Sequence, residues 1–373
     1  MRNLFVLAVA AVPFAAVAQT TSGVVWKGDF ESGAAAMSGN CTAGQNQWCR
    51  SQTIRPQQIQ AVQSPVAQGG YAARIEVKFG DVYGGYSDER SLLTGPSTLW
   101  ETAGTEKWYR WQSMLPDEWV GKYPKWDQLA DFPNAYSIGG WLVEWHHDAN
   151  GGVETGSAPL YIGADDSKYF LCLVDQATSA CRETIKLADL QRGHWTDFVV
   201  HALWSPDSNT GFLEIWVDGV NVLPKHYGSN MYPGMRNYLC AGLYRNVHIG
   251  DPGLRWPDGT PVYGAGGSPS VAYLDGFIIG KTMDDVLAER PWGTQPEAPP
   301  PPPPPPPPAP GAGPDQPPAT PVPEPSPDAA PPQVGAATLG SGCSSTRAQS
   351  AWIAIGLVVL LMRRRFRAKE GRA

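Results

Sequence analysis

Charge is scarce in this chain. Only 17% of its 373 residues are Asp, Glu, Lys or Arg, and acidic residues outnumber basic ones by 35 to 28. A general positive field that would gather nucleic acid is therefore excluded, and an anionic ligand needs a local basic cluster. The basic residues are also unevenly spread. Arg363 to Ala373 holds five Arg and one Lys, so the remainder is more acidic than the net charge of −7 suggests. Six cysteines occur without one C-x-x-C pair, which argues against a zinc site. Long apolar runs are missing too: the N-terminal run and the one from Ala351 to Met362 both fall short of the ~20 residues that a membrane span needs. Helical periodicity is credible only near Met283 to Ala288, so a helix bundle is excluded.

What the chain has in quantity is Gly (41), Pro (37), Trp (15) and Tyr (14), a turn-rich and aromatic usage that points to an all-β protein. Four parts follow one another. Residues 1–18 carry Arg2, an apolar run and small residues at Ala16-Val17-Ala18, so export with cleavage before Gln19 is expected. Residues 19–293 form one continuous globular region. Residues 294–341 are rich in proline, unbroken from Pro299 to Pro308, and should be an extended, semi-rigid spacer. Residues 342–373 contain Gly342-Cys343, the short apolar run and then Arg363-Arg364-Arg365, whose charge orients the basic end toward the cytoplasm. This tail resembles the myxobacterial C-terminal sorting tail. The resemblance implies cleavage near Cys343 by a cell-envelope sorting machinery and display at the cell surface or outer membrane; retention in the inner membrane is the alternative.

Strand signals fill the globular part. In Arg74-Ile75-Glu76-Val77-Lys78-Phe79 charged and apolar residues alternate with period two. GFLEIWVDGVNVL reads as a hairpin, with Leu213, Ile215 and Val217 on one face and Asp218-Gly219 in the turn. Further strands are expected over 107–114, 140–147, 169–175, 196–204, 238–246 and 272–279. Many strands without helical crossovers predict two packed antiparallel sheets, a β-jelly-roll sandwich of concanavalin type. In an oxidising compartment the local pairs Cys41–Cys49 and Cys172–Cys181 are expected disulfides, which leaves Cys240 unpaired.

Three segments carry residues suited to chemistry. In GGWLVEWHHD, strand alternation puts Glu144, His146 and Asp148 on one face and Trp141, Val143, Trp145 and His147 on the other. The carboxylates beside His146 would orient its ring; a structural histidine is the competing reading. In YLCAGLYR, Tyr238, Cys240, Gly242 and Tyr244 share a face, and Gly242 is expected to leave room for a ligand beside Tyr244. Arg90, in SDERS, is the third candidate, against an ordinary ion pair.

Together these segments resemble a known family. GDFESG, the DERSLL block, EKWYRWQSMLPDEW, the EWHHD strand, HWTDFVVHALWSPDSNTGFLEIWVDG, the GLYRN strand and YLDGFIIG, in this order from about Val25 to Lys281, look like the polysaccharide lyases related to heparin lyase I and to glucuronan lyase. The resemblance implies a jelly-roll fold and cleavage of a uronic-acid polysaccharide by β-elimination. That reaction removes the C5 proton of a uronate and expels the glycosidic oxygen at C4, so the neighbouring carboxylate must be neutralised. By resemblance Arg90 contacts that carboxylate and His146 is the base. Tyr244 is the general acid or, for the opposite C5 configuration, the base as well. Glu144, Arg245 and Trp111 are expected to bind substrate, with Trp119, Trp126 and Trp216 as other groove candidates.

Two departures from the family pattern matter. Cys240 stands where a lysine precedes the tyrosine by four residues, and Leu92 stands where an acidic residue commonly follows the arginine. Both disfavour heavily sulfated substrates and favour a non-sulfated polyuronate. The competing functions are a non-catalytic carbohydrate-binding protein of the same fold and a glycoside hydrolase, although the E-x-D-x-E strand of jelly-roll hydrolases is absent. No cofactor is required. Ca²⁺ is compatible with such a sandwich, although no acidic loop has diagnostic spacing. A monomer acting on an acidic polysaccharide, with no nucleic-acid partner, is expected.

Overall fold

A computed structural model of the chain describes residues 23–37, 47–84, 88–119, 140–148, 156–246, 269–288 and 290. Their strands form two antiparallel sheets. The first has the order β13 (Val220–Tyr227), β12 (Phe212–Val217), β11 (Thr196–Leu203), β6 (Glu106–Met114), β15 (Ser270–Gly280), β4 (Ala72–Val77) and β3 (Ile59–Val62), with β1 (Val24–Gly28) also paired to β15. The second has the order β10 (Cys181–Asp189), β9 (Lys168–Val174), β8 (Leu160–Ala164), β7 (Gly140–Asp148), β14 (Arg236–Asn246), β5 (Asp88–Thr94) and β2 (Cys49–Gln52). Packed face to face, they make the jelly-roll sandwich that the strand pattern predicts.

Period-two alternation sets which side chains meet between the sheets. Ile75 and Val77 of β4 point inward, while Arg74, Glu76 and Lys78 face outward, where Glu76 pairs with Arg74 at 2.8 Å and Lys78 at 2.9 Å. Leu213, Ile215 and Val217 of β12 are likewise inside. The β12–β13 hairpin turns at Asp218 and Gly219, with φ of 50° and 83°, the two positive values that a type I′ turn requires. Trp111 from the first sheet and Trp145 from the second meet at the centre, with ring centroids 6.2 Å apart. Trp111 is further stacked between Phe198 and Phe277, at 5.2 and 5.9 Å. The one α-helix among the described residues, α1 (Met283–Leu287), begins with a capping box in which Thr282 accepts from the Asp285 amide and Asp285 reaches back to Thr282.

A buried ion pair within the second sheet is tied to the first sheet at one end. Glu89 of β5 and Arg245 of β14 lie opposite each other, 0% and 1% exposed, with Nε to Oε2 at 2.7 Å. Arg245 Nη1 donates to Ser270 Oγ of the other sheet at 2.7 Å, and the Gly80 amide donates to Glu89. Removing one partner of such a pair strands the other charge in the interior. Arg245→Met is expected to cost about 3–5 kcal/mol, measured by urea denaturation. Arg245→Met combined with Glu89→Gln should lose markedly less.

Candidate active site

The candidate residues gather on the outer face of the second sheet, where register aligns them in rows across its strands. One row reads Cys172, Tyr161, Glu144, Cys240, Thr94 and Cys49, from β9 to β2. A neighbouring row puts His146 opposite Tyr238, and another puts Tyr244 between Trp141 and Arg90. At ~3.3 Å per residue, the backbones of His146 and Tyr244 lie about 16 Å apart along the strands, with Glu144 between them. This face is not freely solvated: Arg90 is 1% exposed, His146 2%, Glu144 3% and Tyr244 6%.

Arg90, Tyr244, Trp141 and Tyr161 form a continuous stack. The Arg90 guanidinium lies 4.3 Å from the Tyr244 ring centroid, and the opposite face of that ring stacks on Trp141 at 4.4 Å. Trp141 in turn stacks on Tyr161 at 3.9 Å. Strict alternation predicts Trp141 on the opposite face from Glu144. It lies on the same face because the register shifts between Trp141 and Val143, turning both Leu142 and Val143 into the core. Sequence reasoning therefore missed Trp141. It also missed Tyr161, whose strand, β8, is a short run without recognisable alternation.

His146 is held by its own strand and by β14. Its Nδ1 lies 3.1 Å from the His147 carbonyl oxygen, 2.9 Å from the His147 amide and 3.3 Å from the Tyr238 hydroxyl. The His147 amide donates to Nδ1, which therefore presents its lone pair to the backbone, and in the neutral ring the proton is on Nε2. Asp148 turns instead to Arg236, at 2.5 Å, and Arg236 lies over Trp100, which stacks on Tyr238. Ring orientation at His146 thus has backbone and tyrosine partners alongside the expected carboxylate neighbours.

Glu144 is strongly perturbed by its burial on this face. Burial pushes its carboxyl up to about 7, and the positive charge of Arg90 offsets only part of that rise. Its Oε2 has no hydrogen-bond partner among the described residues. Burial, together with the Glu144 charge, also drives the Tyr161 hydroxyl above the usual tyrosine range. Arg90 is fixed from behind, with Nη1 donating to Gln52 Oε1 at 2.9 Å. Among the described residues no group of three or more His, Cys, Asp or Glu is placed to hold a metal ion.

Several expected site residues lie elsewhere. Arg245 neighbours Tyr244 in sequence, but alternation turns it inward, away from the outer face, to Glu89 and Ser270. Trp111 is 1% exposed in the core between the sheets, because its strand presents odd-numbered residues there. Trp119 is also buried, donating to the Asp165 carbonyl, and Trp216 packs with Trp108 on the outer face of the first sheet. Trp126 lies outside the described residues. Gly242 does not make room for a ligand: a Cβ there would stand 2.1 Å from the Ser91 carbonyl oxygen, so the glycine admits the neighbouring strand.

Of the two expected cysteine pairs, the one within the described residues is present. Cys172–Cys181 is a disulfide that joins β9 to β10, with Cα atoms 5.5 Å apart. Cys240, expected to be unpaired, is disulfide-bonded, as is Cys49, and register brings both opposite Thr94 from its two sides. Cys41 lies outside the described residues, and so does the expected bond between it and Cys49. The site face therefore carries no free thiol among the described residues. Leu92, at the position of the commonly acidic residue, packs with Tyr238, Cys240 and Tyr244.

The family described as polysaccharide lyase matches the chain over residues 32–276. No curated protein sequence matches it. Among solved structures, the endo-β-1,4-glucuronan lyase of the fungus Trichoderma reesei is 18% identical, with a TM-score of 0.44 over 61% of this chain and 88% of that one. The catalytic domain of a glycoside hydrolase family 131 protein from Coprinopsis cinerea is 11% identical, with a TM-score of 0.42 over 70% and 95%. Alginate lyase AlyC3 in complex with dimannuronate is 12% identical, with a TM-score of 0.36 over 56% and 73%.

The contact of Gly242 with β5 yields a stability prediction. Gly242→Ala is expected to destabilise the sandwich by about 2 kcal/mol or more, since backbone rather than a flexible side chain must yield. Urea denaturation of the variant against the parent protein checks this.

Proposed function

Because the chain belongs to the polysaccharide lyase family, we propose that the outer face of its second sheet cleaves a non-sulfated polyuronate by β-elimination. The observation that carries this reading is the stack of Arg90 on Tyr244 beside Glu144 and His146, a cation, a phenol, an acid and an imidazole on one sheet face. Arg90 contacts the uronate carboxylate and draws off charge that develops as the C5 proton leaves. Glu144, whose neighbour Arg90 acts on it electrostatically, binds the same carboxylate. Tyr244, clamped between Arg90 and Trp141, gives its proton to the departing O4 as the C4–O4 bond breaks and the C4=C5 double bond forms. Where the C5 proton and O4 lie on the same face of the ring, Tyr244 also takes the proton. In the opposite configuration a second group must act as base from across the ring, and His146, on the same sheet face, is the candidate for that role.

The disulfide-bonded Cys240 and the apolar Leu92 support a non-sulfated substrate over a heparin-like one, since neither supplies charge to hold a sulfate. The proposed setting is outside the cytoplasm. Its support is the export signal at residues 1–18, the sorting-type tail at residues 342–373 and the Cys172–Cys181 bond.

Incubation with a panel of glucuronans, alginates and sulfated glycosaminoglycans, followed by ultraviolet absorbance of the unsaturated product, tests the reaction. Tyr244→Phe is expected to lower kcat roughly 10²- to 10⁴-fold on every accepted polymer, and His146→Ala to do so on polymers that need the base across the ring. Full activity of Tyr244→Phe, or of His146→Ala on every polymer, would remove that residue from the reaction. Reducing ends that accumulate without absorbance would indicate hydrolysis instead.

A further inference from the structure

We infer that Glu144 works as a neutral carboxylic acid, donating its proton in a hydrogen bond to the substrate carboxylate, so that catalysis is confined to the acid side of neutrality. The inference rests on the lyase reading of the same site and adds the protonation state that this site requires. Geometry is its basis. Glu144 sits midway between the Tyr161 and Cys240 positions of its row and two residues from His146 on the same face. It is 3% exposed, and its Oε2 has no partner among the described residues, so one oxygen remains for a ligand.

The groups facing Glu144 do not hold a negative charge there. From β8 comes Tyr161, a neutral phenol whose hydroxyl lies 3.3 Å from Cys181 Sγ. Cys240, from β14, is disulfide-bonded and carries no charge, and Cys172 beyond Tyr161 is bonded to Cys181. Tyr238 of β14 is turned to His146 on Glu144's own strand. Arg90 of β5, the cation acting on Glu144 among the described residues, is already shared with Gln52 and with the Tyr244 ring. The upward shift of the Glu144 carboxyl to about 7 follows from this imbalance of burial over countercharge.

A uronate arriving at Arg90 makes the imbalance larger. An ionised Glu144 would repel the substrate carboxylate, whereas the protonated acid gives it a short O–H···O⁻ bond. Together the guanidinium and this O–H provide two donors to one carboxylate, which stabilise the enolate-like intermediate as the C5 proton leaves. Substrate binding then holds the proton on Glu144 to higher pH than in the free protein.

Glu144→Gln separates this from an ionised role, because the amide donates at every pH. For the full chain, kcat/KM on the polyuronate is expected to fall about tenfold per pH unit above the Glu144 titration. In Glu144→Gln that fall should be absent, so the ratio of activity at pH 8.5 to that at pH 6 rises at least tenfold over the parent. Glu144→Ala, lacking a donor, should lose activity throughout. A Glu144→Gln profile superimposable on the parent, or loss of activity at all pH values as in Glu144→Ala, overturns the inference.

Stability provides a readout independent of turnover. A carboxyl raised in the folded state contributes stability that is fully present below its ordinary value and is lost as pH rises through about 7. The parent Tm should therefore drop more between pH 5 and 8 than that of Glu144→Gln. An identical drop in both proteins also overturns the inference. A parent that yields no unsaturated product on any polymer while showing the expected Tm difference would instead count against the lyase reading of the site.

Discussion

Strand β7 is buried on both of its faces, and the rest of the site follows from that constraint. It is the central strand of the second sheet, and one face sends Val143 and Trp145 into the core between the sheets. The other face holds Glu144 and His146, which are nearly as inaccessible as the core residues behind them. A strand in this position cannot slip by one residue, because a slip would exchange Trp145 with Glu144 and bury a carboxyl against tryptophans. The apolar packing on one side therefore holds the polar groups on the other in register with β8 and β14.

Burial of a polar face has an electrostatic consequence that solvent would remove. Burial is the main cause of the upward shifts of Glu144 and Tyr161, with the charge of Arg90 opposing the first and that of Glu144 adding to the second. The aromatic stack fixes these groups as well. Tyr244 lies between a guanidinium and an indole, which leaves its ring little freedom to turn and keeps the hydroxyl at one place on the face. This is the rigidity that a group taking part in proton transfer needs. The polysaccharide lyase family membership and the architecture of this face thus meet in the same few strands.

Much of the framework was legible from the residues alone. Alternation over 74–77, the Asp218-Gly219 turn and the inward face of Val143 and Trp145 each follow from local geometry and occur as expected, whereas Phe79 lies beyond the end of β4 and is exposed. Weak strands such as β2, β3 and β8 were not legible, because four or five residues without a clear period carry too little pattern. Alternation also misled where it was interrupted. The register shift beside Trp141 moved that ring to the site face, and no residue in Trp141-Leu142-Val143 announces it.

The sequence by itself determined the sandwich, the face shared by Glu144, His146 and Asp148, and the placement of Arg90 and Tyr244 as chemically suited groups. These depend on the period of a strand, which every residue reports locally. Only the tertiary structure decided that Arg245 meets Glu89 and Ser270, that Trp111 packs against Trp145, that Gly242 accommodates a neighbouring strand, and that Cys240 is bonded. Each of those depends on what the opposite sheet or the adjacent strand brings within a few ångströms. Contacts between segments far apart in the chain leave no trace in the spacing of either one.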